Sequence, residues 1–258
     1  MQKTIEMTGE RVLSDLPPSE AERKVRVELA ACYRLAQKNG WDELIYNHIT
    51  ARVPGPEHHF LINPFGLAFE EVTASNLVKV DLEGRVIGAA KYPVNAAGFT
   101  IHSAIHAARP DVGCVMHLHT EAGMAISMLD SGLLPLTQTA MFFQGQIAVH
   151  AYEGVAINLS ERERLVRDLA DKSVMILRNH GTLVACPTTG QAFVTMFLLE
   201  KAARAQLRAM ACNSKLALAA PAAIDITAQF GRSGAGGAEY AWQAMIRRLD
   251  REDTSYKS

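Results

Sequence analysis

Apolar residues recur at helical spacing from Ser19 to about Lys38, at Val25, Val27, Leu29, Ala30, Tyr33, Leu35 and Ala36, and predict a helix there. Ser19 followed by Glu22 fits a reciprocal N-terminal cap, and Gly40 ends the element. Residues 1–18 are polar, close on Pro17-Pro18 and show no periodicity, so they are expected to form a flexible arm. Between Ile45 and Ile87 the pattern changes to short β-prone pieces, His48 to Val53, His59 to Ile62, Leu77 to Val80 and Arg85 to Ile87. They are divided by Pro54-Gly55-Pro56, Pro64-Phe65-Gly66 and Glu83-Gly84, tight turns that favour antiparallel pairing.

The stretch 97–108 (AGFTIHSAIHAA) predicts a helix closed before Arg109-Pro110, and Gly113 to His119 predicts a buried strand. Further helices are expected over 120–129, 160–170 and 189–212, with strands near 146–151, 173–178 and 182–185. The pattern describes an α/β domain over 19–212, with helices packed on a mainly antiparallel sheet. Ala, Leu and Ser dominate 213–227 and glycine dominates 231–237, which predicts a loosely held excursion. Tyr240 to Leu249 then reads as a short amphipathic helix, so 213–258 forms a C-terminal extension.

Composition narrows the function classes. The 258 residues carry 26 basic and 27 acidic side chains, so no basic face for nucleic acid or anionic membrane is expected. No run of about 18 apolar residues predicts a membrane span, and residues 1–20 lack the apolar core of a signal peptide. A cytoplasmic protein acting on a small molecule is the expectation. Cys32, Cys114, Cys186 and Cys212 lie far apart in apolar stretches and read as reduced, buried thiols.

The sharpest local feature is His117 and His119 in Val-Met-His-Leu-His-Thr. Residues two apart on a strand share a face and can direct two imidazoles at one ion, while Met116 and Leu118 face the core. His180, in Asn-His-Gly at the end of a β-prone run, is a candidate third ligand; its alternative is a turn residue beside Asn179 and Gly181, chosen for their backbone. Three histidines with an open position would match a catalytic ion. His102 and His106 share a helical face, where His102 can line the site or support a ligand and His106 can simply be solvated. His58, His59 and His150 are assigned no role.

Four ordered blocks, WDELIYNHITARV (41–53), HFLINPFGLAFEEVTASNLVKVDLEG (59–84), VNAAGFTIHSAIHAARPDVGCVMHLHT (94–120) and ILRNHGTLV (176–184), resemble the class II aldolase/adducin family, its adducin-like branch most closely. The resemblance implies a three-layer α/β/α sandwich around a mainly antiparallel sheet, and homo-oligomers, commonly tetramers, with sites at subunit boundaries. It places His117, His119 and His180 on the family's metal-binding histidines and implies a divalent metal, zinc first, with Fe(II) or Mn(II) as alternatives. The aldolases' catalytic glutamate falls on Gly98, which can move no proton. Their phosphate cradle falls on Asn47-His48-Ile49-Thr50 and Asn63-Pro64-Phe65-Gly66, which lack its pattern. His48, Phe65, Gly66, Gly98 and His102 are therefore expected to line a site for a substrate without phosphate, such as an aryl or keto acid.

Glu121, next to His-Leu-His-Thr, is the nearest replacement acid or base, although a glutamate there also suits the first turn of a helix. Tyr46, Tyr92 and Tyr240 are further proton donors, of which Tyr240 is carried forward as catalytic with Glu121. The resemblance implies a metal-dependent lyase breaking a carbon–carbon bond by aldol cleavage or decarboxylation; decarboxylation suits the missing glutamate, because it needs no base to remove a proton. The alternatives are an Fe(II)-dependent oxygenase on the same histidines and a scaffold like the adducin head. Adducins carry their cytoskeletal function on a lysine-rich tail that this sequence does not show, so actin and spectrin binding are not expected.

Overall fold

The computed structural model describes residues 20–155, 159–233 and 237–258; the arm expected over 1–18 and the Ser19 cap lie outside them. Helix α1 (Glu20–Lys38) leads into β1 (His48–Arg52), β2 (Phe60–Ile62) and β3 (Val78–Val80). Then follow α2 (Ala96–Ala108), β4 (Cys114–Leu118), α3 (Glu121–Ser127), α4 (Gln138–Met141), β5 (Ile147–His150), α5 (Glu161–Leu169), β6 (Val174–Leu177) and β7 (Gly181–Cys186). Then come α6 (Thr189–Ala211), α7 (Pro221–Arg232) and α8 (Ala238–Glu252), followed by a short 3-10 turn at Ser255–Lys257. Among the described residues no helix is long and apolar enough to cross a membrane.

The strands form one sheet in the order β3-β2-β1-β4-β7-β6-β5. Every pairing is antiparallel except β5 with β6, where α5 supplies the crossover that a parallel pair requires. Alternation along the strands sorts side chains between two helical layers. Ile49 and Ala51 of β1, Cys114, Met116 and Leu118 of β4, and Val184 and Cys186 of β7 join a core with α1, α6 and α8. Val115, Leu183 and Ala185 face the other way, into a second core with Ile101 and Ile105 of α2 and Leu165 and Leu169 of α5. This is the expected three-layer α/β/α sandwich, and it puts His48, Thr50 and His117 on the α2 side of the sheet.

Three expectations are corrected. Arg85 to Ile87 is not a strand: Asp81 Oδ1 accepts from the N–H groups of Glu83 and Arg85, and the turn leaves a single bridge, Val80 to Val86. The stretch expected to be a loose excursion contains α7, begun by Pro221 in its first turn and seated against α4, with the Phe230 ring 6.2 Å from Phe142. Cys212 is exposed at the end of α6, whereas Cys32, Cys114 and Cys186 are buried free thiols.

The last helix is longer than its expected span, and its docking depends on one glycine. Trp242 and Leu249 of α8 enter the main core. A Cβ on Gly190, in the first turn of α6, would stand 2.5 Å from the Trp242 ring. Gly190→Ala is therefore expected to destabilise the chain by about 1–3 kcal/mol, since the indole must shift out of a packed core. Urea unfolding of wild type and variant checks this.

Candidate metal centre

The ladder brings three separated histidines together. His117 sits near the end of β4 and His119 just beyond it. β4 pairs with β7, with Leu118 opposite Thr182, so the β6–β7 turn carrying His180 lies beside them. That turn is tight. Asn179 takes φ +54°, a left-handed conformation that asparagine tolerates, and a Cβ on Gly181 would stand 2.5 Å from Leu118 O. Both readings of this segment hold together: Asn179 and Gly181 serve the backbone, and they deliver His180 to the cluster.

The three Nε2 atoms converge, at 2.9 Å for His119 to His180, 3.0 Å for His117 to His119 and 3.3 Å for His117 to His180. A tetrahedral ion with metal–nitrogen bonds of about 2.0–2.1 Å holds its nitrogens about 3.3 Å apart, so a small adjustment would admit one. The opposite ring nitrogens are committed. His117 Nδ1 donates to Thr182 O at 3.0 Å, and His119 Nδ1 to Glu43 Oε2 at 2.6 Å. A carbonyl and a carboxylate can only accept, so each ring carries a hydrogen on Nδ1, the tautomer whose Nε2 lone pair an ion would take. Burial, reinforced by the neighbouring imidazoles, holds His117 well below the usual histidine range. Burial and His119 push His180 down to about 4, against a partial pull from Glu43. Imidazole nitrogen donors in this arrangement suit zinc or another borderline divalent ion.

Glu43 orients His119 from the loop before β1. Glu43→Ala is expected to weaken zinc binding about 10–100-fold, as removal of such an outer partner does at other histidine sites. Competition against a chromophoric chelator measures it.

A second group of imidazoles adjoins the first. The His48 ring lies 5.2 Å from that of His117, and His48 Nδ1 contacts His102 Nε2 at 2.8 Å. His102 Nδ1 reaches Thr50 Oγ1 at 2.7 Å, and Thr50 Oγ1 reaches His106 Nε2 at 2.8 Å. All four side chains are buried, so His106 is not a solvated residue on a helix edge. Gly98 makes room for this arrangement: a Cβ there would stand 2.6 Å from the His48 ring. Where the resemblance puts a glutamate, this chain has an imidazole arriving from β1.

Glu121 and Tyr240 sit apart from the cluster within one chain. Glu121 is exposed at the start of α3 and shares a surface pocket with Arg204 and Arg208. Tyr240 is 84% exposed on α8, across the sheet from His117. Phe65 and Gly66 form the turn after β2, with Phe65 N–H donating to Pro93 O at 2.9 Å.

A sequence profile of the Class II Aldolase and Adducin N-terminal domain matches residues 27–207. The chain belongs to the class II aldolase and adducin family. This family member is 51% identical over 240 residues to a Caulobacter vibrioides protein named for the class 2 aldolases, covering 92% of this chain and 93% of that one. It is 47% identical to rat alpha-adducin over 195 residues, which are 74% of this chain and 26% of the adducin. Among solved structures, an aldolase II superfamily protein from Pseudomonas syringae superimposes with a TM-score of 0.90 at 47% identity, covering 93% and 97% of the two chains. An L-fuculose 1-phosphate aldolase from Glaciozyma antarctica superimposes with a TM-score of 0.80 at 32% identity, covering 94% and 97%.

Sequence reasoning missed several residues of this aldolase/adducin site. Glu43 and Thr182 orient the histidines. Buried Asn47 accepts from His119 N–H at 2.8 Å through Oδ1 and leaves its Nδ2 without a partner. Tyr152 brings its ring within 6.5 Å of His180. Glu43, Asn47 and Thr50 all stand in the WDELIYNHIT block, but only strand pairing shows what each one touches. Thr182 acts through its carbonyl, which no side-chain pattern reports.

Proposed function

We propose that this chain is a metal-dependent lyase that breaks a carbon–carbon bond of a non-phosphorylated hydroxy, keto or aryl acid. The observation that carries the reading is the convergence of three imidazole Nε2 atoms, two of the rings held by acceptors at Nδ1. His117, His119 and His180 would hold the ion, zinc by donor type, and a bound ion supplies Lewis-acid stabilisation of negative charge on a chelating substrate oxygen.

The chain's own groups complete the site. Asn47 Nδ2, buried and unpartnered, is a donor for a substrate oxygen. Gly98 offers no carboxylate, and His48 stands where one would be, which favours decarboxylation, whose carbanion forms by loss of carbon dioxide with no proton to remove, over aldol cleavage, in which a base must take the hydroxyl proton. Tyr240, exposed on α8, is assigned to the site of a neighbouring subunit in a homo-oligomer. Glu121, close to His119 in sequence, is kept as an alternative proton carrier.

The test is release of carbon dioxide or aldehyde by the zinc-loaded protein from a panel of hydroxy, keto and aryl acids, with a His119→Ala control. Turnover that disappears in the control is expected. Oxygen uptake by an iron-loaded protein, without either product, would replace the lyase by an oxygenase. No turnover with any metal would leave a scaffold like the adducin head.

A further inference from the structure

His150 ends β5, and the three-histidine centre does not use it. The residue is 2% exposed. Its Nδ1 stands 2.7 Å from Asp168 Oδ2 of α5, and a carboxylate can only accept, so Nδ1 carries a hydrogen. The opposite nitrogen, Nε2, is buried and makes no hydrogen bond. Two further carboxylates face it, Glu161 Oε1 at 3.4 Å and Glu153 Oε1 at 4.0 Å.

A positive charge belongs in this gap. In the neutral ring Nε2 holds a lone pair, which a carboxylate oxygen 3.4 Å away repels. A proton on Nε2 would relieve the repulsion by bonding to one of the oxygens, yet neither is placed to accept it. A cation fits the geometry better. Ligand atoms about 2.1 Å from one ion stand about 3.0–3.4 Å apart, which is the separation of Nε2 and Glu161 Oε1. The Glu153 side chain is 28% exposed, so a small turn brings its oxygen to the same ion and leaves an open side to water.

The surroundings complete the pattern. Asp168 behind Nδ1 is the outer carboxylate that orients a ligating imidazole, as Glu43 does for His119. Arg164 pairs with Glu153 and Arg167 with Asp168, so these guanidiniums balance two of the three carboxylates and leave one negative charge beside a neutral ring.

We propose that His150, Glu161 and Glu153 form a second divalent-cation site, separate from the three-histidine centre, with Asp168 as its positioning residue. One imidazole and two carboxylates suit an ion of the manganese class. A single nitrogen holds an ion weakly, so the site fills from added ion and does not retain one through purification. Its occupancy ties the segment after β5 to the first turn of α5. Tyr152 of that segment brings its ring within 6.5 Å of the His180 ring, so the second ion steadies one wall of the first centre. The assignment is independent of the lyase reading.

The test is Mn(II) titrated into His119→Ala, His180→Ala protein, whose three-histidine centre is dismantled, with electron paramagnetic resonance counting the free ion. About one bound Mn(II) per chain is expected, with pulsed spectra showing an imidazole nitrogen on it. Glu161→Gln and Glu153→Gln, added singly to that protein, keep the side-chain shape and remove a charged ligand; each is expected to weaken Mn(II) at least tenfold, the lower end of what loss of an outer partner costs. Circular dichroism checks that both variants fold. No bound Mn(II), undiminished binding in both glutamine variants, or bound ion without imidazole coupling would each overturn the proposal.

Discussion

Replacing His119 and His180 together with alanine is expected to lower bound zinc from about one per chain to below about a tenth, because a single remaining imidazole cannot retain an ion against solvent. The fold should survive. Both side chains are only partly buried, His180 sits on a hairpin turn, and neither belongs to an apolar core. His117 is a poorer choice for this test, since it is buried in the central strand and its removal would leave a cavity beside His48. Elemental analysis with far-ultraviolet circular dichroism separates the outcomes. Loss of zinc with an unchanged spectrum is expected. Retained zinc would place the ion elsewhere, and unfolding would make the cluster structural.

The second large effect is acid sensitivity of the metal-free protein. His106 is pushed down to about 3, first by burial and then by the charge of Arg52. An unfolded histidine titrates near 6.5. Between about pH 6.5 and 3 the unfolded chain therefore binds the proton and the folded chain does not, so stability falls as pH falls through that window. At pH 5 the loss from His106 alone is about 2 kcal/mol. His48, His102 and His117 are shifted in the same direction by their own burial and add to it. Urea midpoints at pH 7.5 and pH 5, with chelator present, should differ clearly in wild type and by less in His106→Gln. An equal decline in the variant would show that His106 is not the source.

Legibility in the sequence followed the range of the physics involved. The sheet, its helical layers and the His-x-His strand were readable because strand alternation and helical spacing are local: Met116 and Leu118 mark the core face, so His117 and His119 must share the other. His180 joined them through a four-block resemblance, since its spatial position depends on β4 pairing with β7. The role of Gly98 was half readable. The absent carboxylate was evident, but the imidazole filling its place comes from β1, and only the β1–β4 pairing of His48 with His117 reveals it. α7 escaped because the alanine, leucine and serine before it and the glycines after it read as one loose segment, and its contact with α4 is long-range. His106 escaped because a histidine late in a helix looks the same in sequence whether it faces water or a threonine.

A divalent ion on His117, His119 and His180 would be detected by elemental analysis of the wild-type protein. It should be purified anaerobically, without chelators or a metal-binding tag. About one equivalent of divalent metal per chain is expected, zinc foremost, lost in the His119→Ala, His180→Ala variant. A protein that carries no metal and takes up none from added zinc, manganese or ferrous iron would contradict this.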